Sequence, residues 1–353
     1  MAGMSEHATL ASLRSPWRLG PLVVPNRVLL APLAGIGNWF VRLQAKRYGA
    51  GMAVSEMVSS YAVHYRNHKT CTELLRIDAR EHERGPVAIQ LFGEDPAIMR
   101  SAAATVAVAG ADVIDINMGC PVPKVAKTGA GAALIADPER ALALAHAAVA
   151  GAREGRGEEV PVTVKLRSGL RSGDDSGFEL AHRLVVEAGV AAIAFHPRSA
   201  AVHHKGSPDY ELVRALADSL PAPVILSGGL DDARHVREVF ATSGVSAVML
   251  ARGALGNPWL FEELLGDRRC EPCPAEVLRE LRWTMARAAE HLGEPRAARY
   301  MRKFYPWYLP RLGLHAPVAR ELQEALLASD SLAHADALLS DAIAGIASRA
   351  PAA

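Results

Sequence analysis

Residues 113–131 read VIDINMGCPVPKVAKTGAG, and the interpretation of the whole chain starts from this stretch. Its first six residues form an almost continuous apolar run, typical of strands that are buried on both faces of a parallel sheet. The run stops at Gly119, and Cys120 follows directly, between that glycine and Pro121. The stretch therefore predicts a buried parallel strand with a thiol in the loop at its carboxyl end.

Seven similar apolar runs occur along the chain, most of them followed by Ala-rich segments with helical period. Eight strand–helix units predict a (β/α)8 TIM barrel, an α/β fold, over residues 1–256. A doubly wound open sheet is the alternative, but the G-x-G-x-x-G turn of that fold is missing after the first strand. The seven other runs are residues 28–33, 52–56, 87–92, 162–166, 192–196, 224–226 and 247–250.

Two segments precede the first of these strands. Residues 1–17 have no regular pattern and are expected to form a disordered extension. Residues 18–25 contain a Gly-Pro turn and predict a hairpin that closes the bottom of the barrel.

Residues 257–353 have a different character, largely helical with Gly and Pro breaks, and predict a C-terminal all-helical domain. Within residues 279–320, nine Lys and Arg stand against three Asp and Glu. A solvated helix face and a surface for a polyanion both remain open as explanations. Aromatic residues are interleaved with these charges: Trp283, Tyr300, Phe304, Tyr305, Trp307 and Tyr308.

The composition of the 353 residues, 50% hydrophobic and 22% charged, is that of an ordinary soluble protein. No apolar stretch approaches the length of about 18 residues that a membrane span needs, and no signal peptide is recognisable. The four cysteines are expected to be reduced thiols in the cytoplasm. A monomer without an obligate protein partner or a membrane is the default expectation.

In a (β/α)8 barrel, functional residues lie at the carboxyl ends of the strands. The last two strands end in Ser227-Gly228-Gly229 and Arg252-Gly253. Loops at these two strands are where barrels bind phosphate, because exposed backbone N–H groups attract an anion. An arginine adds a forked cation suited to the same group.

Two further strand ends point to a cofactor with an electron-rich ring. Lys165 would place a positive charge beside such a ring, and Gln90 offers an amide donor and acceptor to a heterocycle. Together with the Gly-rich turns, these residues predict a phosphorylated cofactor. The alternative is a pair of ordinary turns and a lysine that reaches out to solvent.

For Cys120 the residues alone leave two interpretations open, an inert buried thiol and a reactive one that is a nucleophile or a proton donor. A metal site is disfavoured because no other Cys or His has ligand spacing, and a disulfide is disfavoured because the cysteines are expected to be reduced. No metal site is predicted elsewhere, because Cys270 and Cys273 lack a second pair in the chain. His203 and His204 are expected to be solvated loop residues.

Beyond these arguments, the chain resembles the tRNA-dihydrouridine synthases, in particular their bacterial B-type branch, over about residues 18–320. The Asn-x-Gly-Cys-Pro element is highly specific to that family. The matching motifs are LAPLAG at 30–35, SEMV at 55–58, DINMGCP at 115–121, KV at 124–125, KTGAG at 127–131, VTVK at 162–165 and ARGALGNPW at 251–259.

The resemblance implies an FMN-binding barrel joined to a helical tRNA-binding domain. It implies reduction of the C5=C6 bond of uridines in the tRNA D-loop, with NADPH as the reductant. The flavin would deliver hydride to C6, and Cys120 would give a proton to C5. Which uridine is reduced is not specified by the sequence, nor is the preference for NADPH over NADH.

The resemblance also assigns residues to these tasks. Asn117 and Arg198 would contact the flipped uracil and nearby tRNA, and Lys124 and Lys127 are further candidate tRNA contacts. The residues expected to hold FMN are Pro32, Leu33, Ala34, Gln90, Lys165, His196, Ser227, Gly228, Gly229, Ala251 and Arg252.

The chain departs from the family pattern in three places, one of which is Asn38, where an aspartate is common. The strand-six motif His-Gly-Arg-Thr-Arg has Pro197 and Ala200 at its second and fifth positions, so one arginine contact to tRNA is in doubt. The Asn-Gly-Asp that commonly follows strand seven is Ser-Gly-Gly here. Two other functions remain as alternatives: a flavin barrel reductase of small enones or pyrimidines, and a non-catalytic tRNA-binding protein on a decayed barrel.

Overall fold

The computed structural model describes residues 6–347, which fall into two compact units. The first unit extends to Gly253 and includes Phe261–Asp267. The second comprises Ala254–Leu260 and the residues from Arg268 onward. The boundary expected after residue 256 lies within the short segment Ala254–Leu260.

Eight parallel strands of the first unit close into a barrel, so the predicted (β/α)8 fold is confirmed. Closure is made by the last barrel strand, which pairs in parallel with both the first and the seventh. The barrel strands, in chain order, are β3 (Val28–Leu30), β4 (Met52–Ser59), β5 (Val87–Phe92), β6 (Val113–Met118), β7 (Val162–Arg167), β8 (Ala192–His196), β9 (Val224–Ser227) and β10 (Ala247–Leu250).

The helices between these strands begin at signals that are local in the sequence. Asp95 accepts a hydrogen bond from the N–H of Ile98, and Asp137 accepts one from that of Arg140, each just before a proline at the first helical position. The helices of this part of the chain are α1 (Glu6–Arg14), α2 (Trp39–Arg47), α3 (Ser60–His64), α4 (Ala79–His82), α5 (Pro96–Val108), α6 (Pro123–Ala126), α7 (Pro138–Arg156), α8 (Ser176–Val186), α9 (Tyr210–Ser219), α10 (Ala233–Ser243) and α11 (Trp259–Leu264).

The predicted hairpin is present as β1 (Trp17–Leu19) and β2 (Leu22–Val24), paired antiparallel. Trp17, Leu19 and Val24 belong to one apolar cluster with residues at the starts of the barrel strands. The amino end of the barrel is therefore sealed by side chains, as predicted, and the carboxyl end is left for function.

The expectation of a disordered extension over residues 1–17 is wrong where the structure describes it. Glu6–Arg14 forms helix α1, in which Leu13 is fully buried. Arg14 donates a 2.6 Å hydrogen bond to the carbonyl of Leu265, some 250 residues away. The helix is fixed by distant partners, which no local pattern reveals. Residues 1–5 lie outside the described part of the chain.

The second unit is helical, and its aromatic residues change the interpretation of the sequence. Phe304, Tyr305 and Tyr308 are almost completely buried and form part of the core of this unit. These three rings therefore do not contribute to a polyanion surface. Its helices are α12 (Pro274–Leu292), α13 (Glu294–Met301), α14 (Tyr305–Tyr308), α15 (Ala316–Ala328) and α16 (Leu332–Ala347).

Among residues 6–347, no helix is long and apolar enough to cross a membrane.

Candidate functional site

A cavity of about 550 Å³ opens at the carboxyl end of the barrel and is lined by residues of the first unit. That volume is in the range of small-molecule and cofactor pockets. Lys124 and Lys127, by contrast, are exposed on the loop after β6 and do not line the cavity. The predicted site residues that do line it are Pro32, Leu33, Ala34, Gln90, Asn117, Cys120, Lys165, His196, Arg198, Ser227, Gly228, Gly229, Ala251 and Arg252.

The loop that carries Cys120 is held by side chains from two strands. Asn117 Oδ1 accepts hydrogen bonds from the N–H groups of Gly119 at 3.2 Å and Cys120 at 2.9 Å. Arg167 Nε donates to the carbonyl of Gly119 at 2.9 Å. Gly131 has φ +64, and a Cβ there would lie 2.7 Å from the carbonyl oxygen of Cys120. The thiol is half-buried and free, at the rim of the cavity.

A chain of buried hydrogen bonds connects this loop to the middle of the barrel. Asn117 Nδ2 donates to Gln90 Oε1 at 2.8 Å, and Gln90 Nε2 donates to Asp115 Oδ2 at 2.6 Å. Thr163 Oγ1 donates to the other oxygen of Asp115, also at 2.6 Å. A flipped Gln90 would place its NH2 group against the Asn117 NH2 group and its oxygen against the Asp115 carboxylate. The hydrogen bonds therefore fix each amide in one orientation.

Sequence reasoning missed Asp115, although a carboxylate in the middle of a buried strand is itself a signal. Burial raises the pKa of Asp115 to about 6, against the hydrogen bonds from Thr163 and Gln90. The positive charge of Lys165 lowers the pKa of Asp115. A buried carboxylate in this position gives the nearby lysine a counter-charge inside the barrel.

Lys165 lines the cavity, and its ammonium group has no hydrogen-bond partner among the described residues. Burial lowers its pKa to about 8, with repulsion from Arg167 acting in the same direction. Asp115 and Cys120 raise the pKa of Lys165. Lys165 itself is half-buried, and an ammonium group that faces the cavity without a direct partner is well placed to bind an anionic or electron-rich ligand.

Arg167 is a second residue whose role the sequence did not reveal. It is buried, and one guanidinium nitrogen donates to the carbonyls of Ser199 at 3.1 Å and His203 at 2.8 Å. Since Nε binds Gly119, this one side chain joins the Cys120 loop to the loop after β8. The only sequence signal was its position at the end of a strand.

His196 is buried, and its neighbours keep it neutral. Burial lowers its pKa strongly, and the charges of Lys165, Arg167 and Arg198 lower it further. Arg198 lies 3.3 Å from His196 Nε2 and can only donate, so Nε2 is the acceptor and the ring proton is on Nδ1. Other nitrogens of Arg198 donate to the carbonyl of Gly206 at 2.8 and 3.1 Å.

The loops after β9 and β10 form a site suited to phosphate. Gly228 and Gly229 have φ +100 and +78, and a Cβ at Gly228 would lie 2.4 Å from the His196 ring. The Oγ of Ser227 is buried without a hydrogen-bond partner, a polar atom that a ligand would satisfy. Arg252 is exposed and makes no ion pair with the described residues. We refer to these four residues as the phosphate cradle.

His203 and His204 are exposed, as expected for solvated loop residues, and both also line the cavity. The ring of His204 stacks on His196 with 5.8 Å between centroids, and partial desolvation lowers its pKa to about 4. His203 has φ +54, an uncommon conformation for a non-glycine residue. Ala200 stands where the strand-six motif of the family has its second arginine. This residue is buried, and its N–H donates to the carbonyl of Gly169 at 2.8 Å.

No group of three or more metal-ligating side chains occurs within residues 6–347. All four cysteines are free thiols. The N–H of Cys273 donates to Glu276 Oε2 at 2.9 Å, so the second cysteine of the CxxC pair stands at the start of α12.

Residues 29–344 match the model of one protein family, described as dihydrouridine synthase. Among curated proteins, tRNA-dihydrouridine synthase B of Pseudomonas aeruginosa is 36% identical over 311 residues, 87% of this chain and 89% of that protein. The protein of the same name from Shewanella oneidensis is 33% identical over 297 residues, 83% of this chain and 89% of its own length.

Similar solved structures include morphinone reductase, with a TM-score of 0.53 and 19% identity, covering 75% of this chain and 92% of that one. A 2-naphthoyl-CoA reductase has a TM-score of 0.58 and 14% identity, covering 73% of this chain and 53% of its own. At these identities the likeness extends to the barrel fold alone.

Proposed function

The chain belongs to the dihydrouridine synthase family, and we propose that it makes dihydrouridine in tRNA by reducing the C5=C6 bond of uracil with a bound flavin mononucleotide. One observation carries the proposal: the Cys120 thiol and the phosphate cradle share a single cavity. In the closed barrel β6, which leads to Cys120, stands four strands away from β10, which leads to Arg252. The thiol and the cradle are therefore on opposite sides of the cavity.

The residues of the cavity fit FMN. Its phosphate would bind the N–H groups of Gly228 and Gly229, the unpartnered Oγ of Ser227 and the guanidinium of Arg252. The ring would lie against the backbone and side chains of residues 32–34 and Ala251, which line the same cavity. FMN supplies the hydride for uracil C6 when it is bound.

Lys165, Gln90 and His196 would hold the ring and set its electrostatic environment. The Lys165 ammonium would stabilise negative charge on the ring, and the charge of Asp115 raises the pKa of that lysine. Gln90 has one amide hydrogen and one lone pair left for the ring after its bonds to Asp115 and Asn117. Neutral His196 can donate from Nδ1 without adding a further charge.

The proton for uracil C5 would come from the Cys120 Sγ. Hydride addition at C6 leaves electron density on C5, which requires an acid on the other side of the base. The bonds from Asn117 Oδ1 and Arg167 Nε to the loop hold this thiol at the rim without occupying its sulfur. Cys120 would then regain a proton from solvent.

The substrate uridine must leave its stack to reach the cavity, as bases do in other enzymes that act on them. Asn117 and Arg198 would be near the flipped uracil, and Lys124 and Lys127 would meet phosphates outside the cavity. The exposed basic residues of the helical unit, such as Arg279 and Arg299, would contact the rest of the tRNA. A D-loop uridine is the proposed target.

NADPH would return the electrons to the flavin, and we assign the enzyme to the cytoplasm as a monomer. An assay separates this function from that of a reductase of small molecules. Purified protein is supplied with NADPH and either unmodified tRNA, free uracil or an enone. Oxidation of NADPH coupled to dihydrouridine formation with tRNA alone is the expected result. Turnover of the enone or free uracil but not of tRNA would overturn the proposal, and so would a purified protein that binds no flavin.

A further inference from the structure

An exposed aromatic and basic patch stands beside the mouth of the cavity. We define the α3 patch as Tyr61, Tyr65, Arg66 and Lys69, which lie on helix α3 and the turn after it. Strand β4 contributes Met57 to the cavity lining, and α3 starts directly after that strand. Tyr61 is four residues beyond Met57, hence within about 14 Å of it along the chain.

The two tyrosines form a stacked pair at the surface, in which Tyr61 is partly buried and Tyr65 is exposed. Their ring centroids are 6.5 Å apart with an interplanar angle of 30°, and Tyr65 is 71% exposed. A hydrogen bond to Glu94 fixes the Tyr61 hydroxyl and raises the pKa of this tyrosine. His64 meets the Tyr65 ring edge-on at 4.7 Å, and His64 Nδ1 is 2.8 Å from Ser101 Oγ. The rings are thus held in position although they lie at the surface.

The backbone after Tyr65 also has an uncommon conformation. Arg66 has φ +52, uncommon for a residue with a side chain, and it leads into the π-helix Thr70–Leu74. Strained backbone and π-helical turns are both concentrated at functional sites. Asn67 Oδ1 accepts from the N–H of Thr70 at 3.1 Å and stabilises this turn.

Glu94 and Asp95 place negative charge near Tyr61, whereas the Arg66 and Lys69 end of the patch is positive and favours a polyanion. Residues 57–72 contain no Asp or Glu but include Arg66 and Lys69, whose side chains make no ion pair with the described residues. Unstacked RNA bases bind exposed aromatic rings, and the accompanying phosphates bind nearby cations.

We propose that the α3 patch binds the single-stranded nucleotides that flank the uridine in the cavity, with a base stacked on Tyr65 and backbone phosphate on Arg66 and Lys69. This inference rests on the proposed tRNA substrate. The cavity takes one nucleotide out of its helix or loop, which also unstacks the neighbours. The patch supplies a second stacking surface where those neighbours would lie.

The test measures the Kd of holoenzyme for unmodified tRNA and the kinetics of dihydrouridine formation. Tyr65→Ala is expected to raise both the Kd and the KM for tRNA about fivefold or more, as for loss of one stacked base. The kcat at saturating tRNA and the rate of flavin reduction by NADPH without tRNA should stay unchanged. Tyr65→Phe keeps the ring and should bind as the wild type does.

The charged half of the patch is tested separately by salt dependence. Lys69→Asn and Arg66→Asn, the latter a residue that tolerates positive φ, should each lower the slope of log Kd against log salt by about 0.7. Arg153→Asn is the matched control, because Arg153 is an exposed arginine at the carboxyl end of α7, next to the opposite face of the barrel.

Failure of this inference is distinguishable from failure of the proposed function. If the wild type modifies tRNA but Tyr65→Ala and Lys69→Asn bind it as tightly as Arg153→Asn does, the α3 patch is not a tRNA site. A lower kcat with an unchanged Kd would also overturn the inference. If the wild type does not modify tRNA at all, the function itself is wrong.

Discussion

The side chain of Asn117 connects the loop that carries Cys120 to Gln90 in the barrel. Its oxygen accepts from the N–H groups of Gly119 and Cys120, while its nitrogen donates to Gln90. The family resemblance predicts that Asn117 contacts the substrate, and the structure shows that it also organises the thiol loop. Its role toward uracil stays a prediction.

Asn117→Ala removes the acceptor for both N–H groups. We expect a loss of about 1–3 kcal/mol in the free energy of unfolding from the unpaired donors. The kcat should fall about 100-fold because the thiol is no longer held in position. Asn117→Asp keeps an acceptor for the loop but loses the donor to Gln90 Oε1, so it separates the effect of the loop from that of the bond to Gln90. Thermal unfolding and single-turnover rates check this, and an Ala variant with normal kcat would contradict it.

The proposed contact between Lys165 and the flavin predicts that flavin binding is sensitive to pH. In the ligand-free protein the pKa of Lys165 is lowered to about 8, so the ammonium is neutralised as the pH rises through that value. The affinity of apoprotein for FMN should therefore fall above pH 8. Asp115→Asn removes a charge that raises the pKa of Lys165, so the fall should move to lower pH.

Fluorescence titration of the apoprotein with FMN over a pH series measures this. Lys165→Met is the control and should bind FMN weakly without the same pH dependence. An affinity for FMN that stays constant as the pH crosses 8 in the wild type would show that Lys165 does not face the cofactor.

At the scale of the elements, the turn after β9 depends on glycine because space is lacking there. Gly228 combines φ +100 with a Cβ position 2.4 Å from the His196 ring. Gly110, in the turn before β6, has nearly the same φ, +99, but nothing lies within 4 Å of its Cβ position. A comparison of alanine substitutions at these two glycines therefore separates the effect of backbone strain from the effect of a collision with the His196 ring.

Gly228→Ala should lose most of the bound flavin, since either the His196 ring or the cradle backbone must move. Gly110→Ala should keep its flavin and lose only about 1–2 kcal/mol of stability from the unfavourable φ. Absorbance of the purified proteins gives the flavin content, and chemical denaturation gives the stability. Equal flavin content in the two variants would argue against a cofactor phosphate at the Gly228 turn.

At the scale of the whole molecule, the sequence predicted the repeated strand–helix units and the features that depend only on residues close together in the chain. Eight buried strands, the hairpin at the barrel bottom and most of the cavity residues follow from apolar runs and strand ends. Helix α1 was missed because its buried face and Arg14 need partners about 250 residues away. Phe304, Tyr305 and Tyr308 are buried in the core of the helical unit, which periodicity does not show. The chain of hydrogen bonds from Asp115 through Gln90 to Asn117 was missed because it joins residues of two different strands.

The proposed reaction as a whole depends on the Cys120 thiol as the acid. The most direct test is the rate of dihydrouridine formation by flavin-loaded Cys120→Ala with unmodified tRNA transcripts. The variant should keep wild-type flavin content and tRNA affinity, because Cys120 contributes only backbone groups to the hydrogen bonds of its loop. Its rate should fall by about 100-fold or more, the usual contribution of a positioned acid. A variant that forms dihydrouridine at the wild-type rate would contradict the assignment of Cys120 as the proton donor.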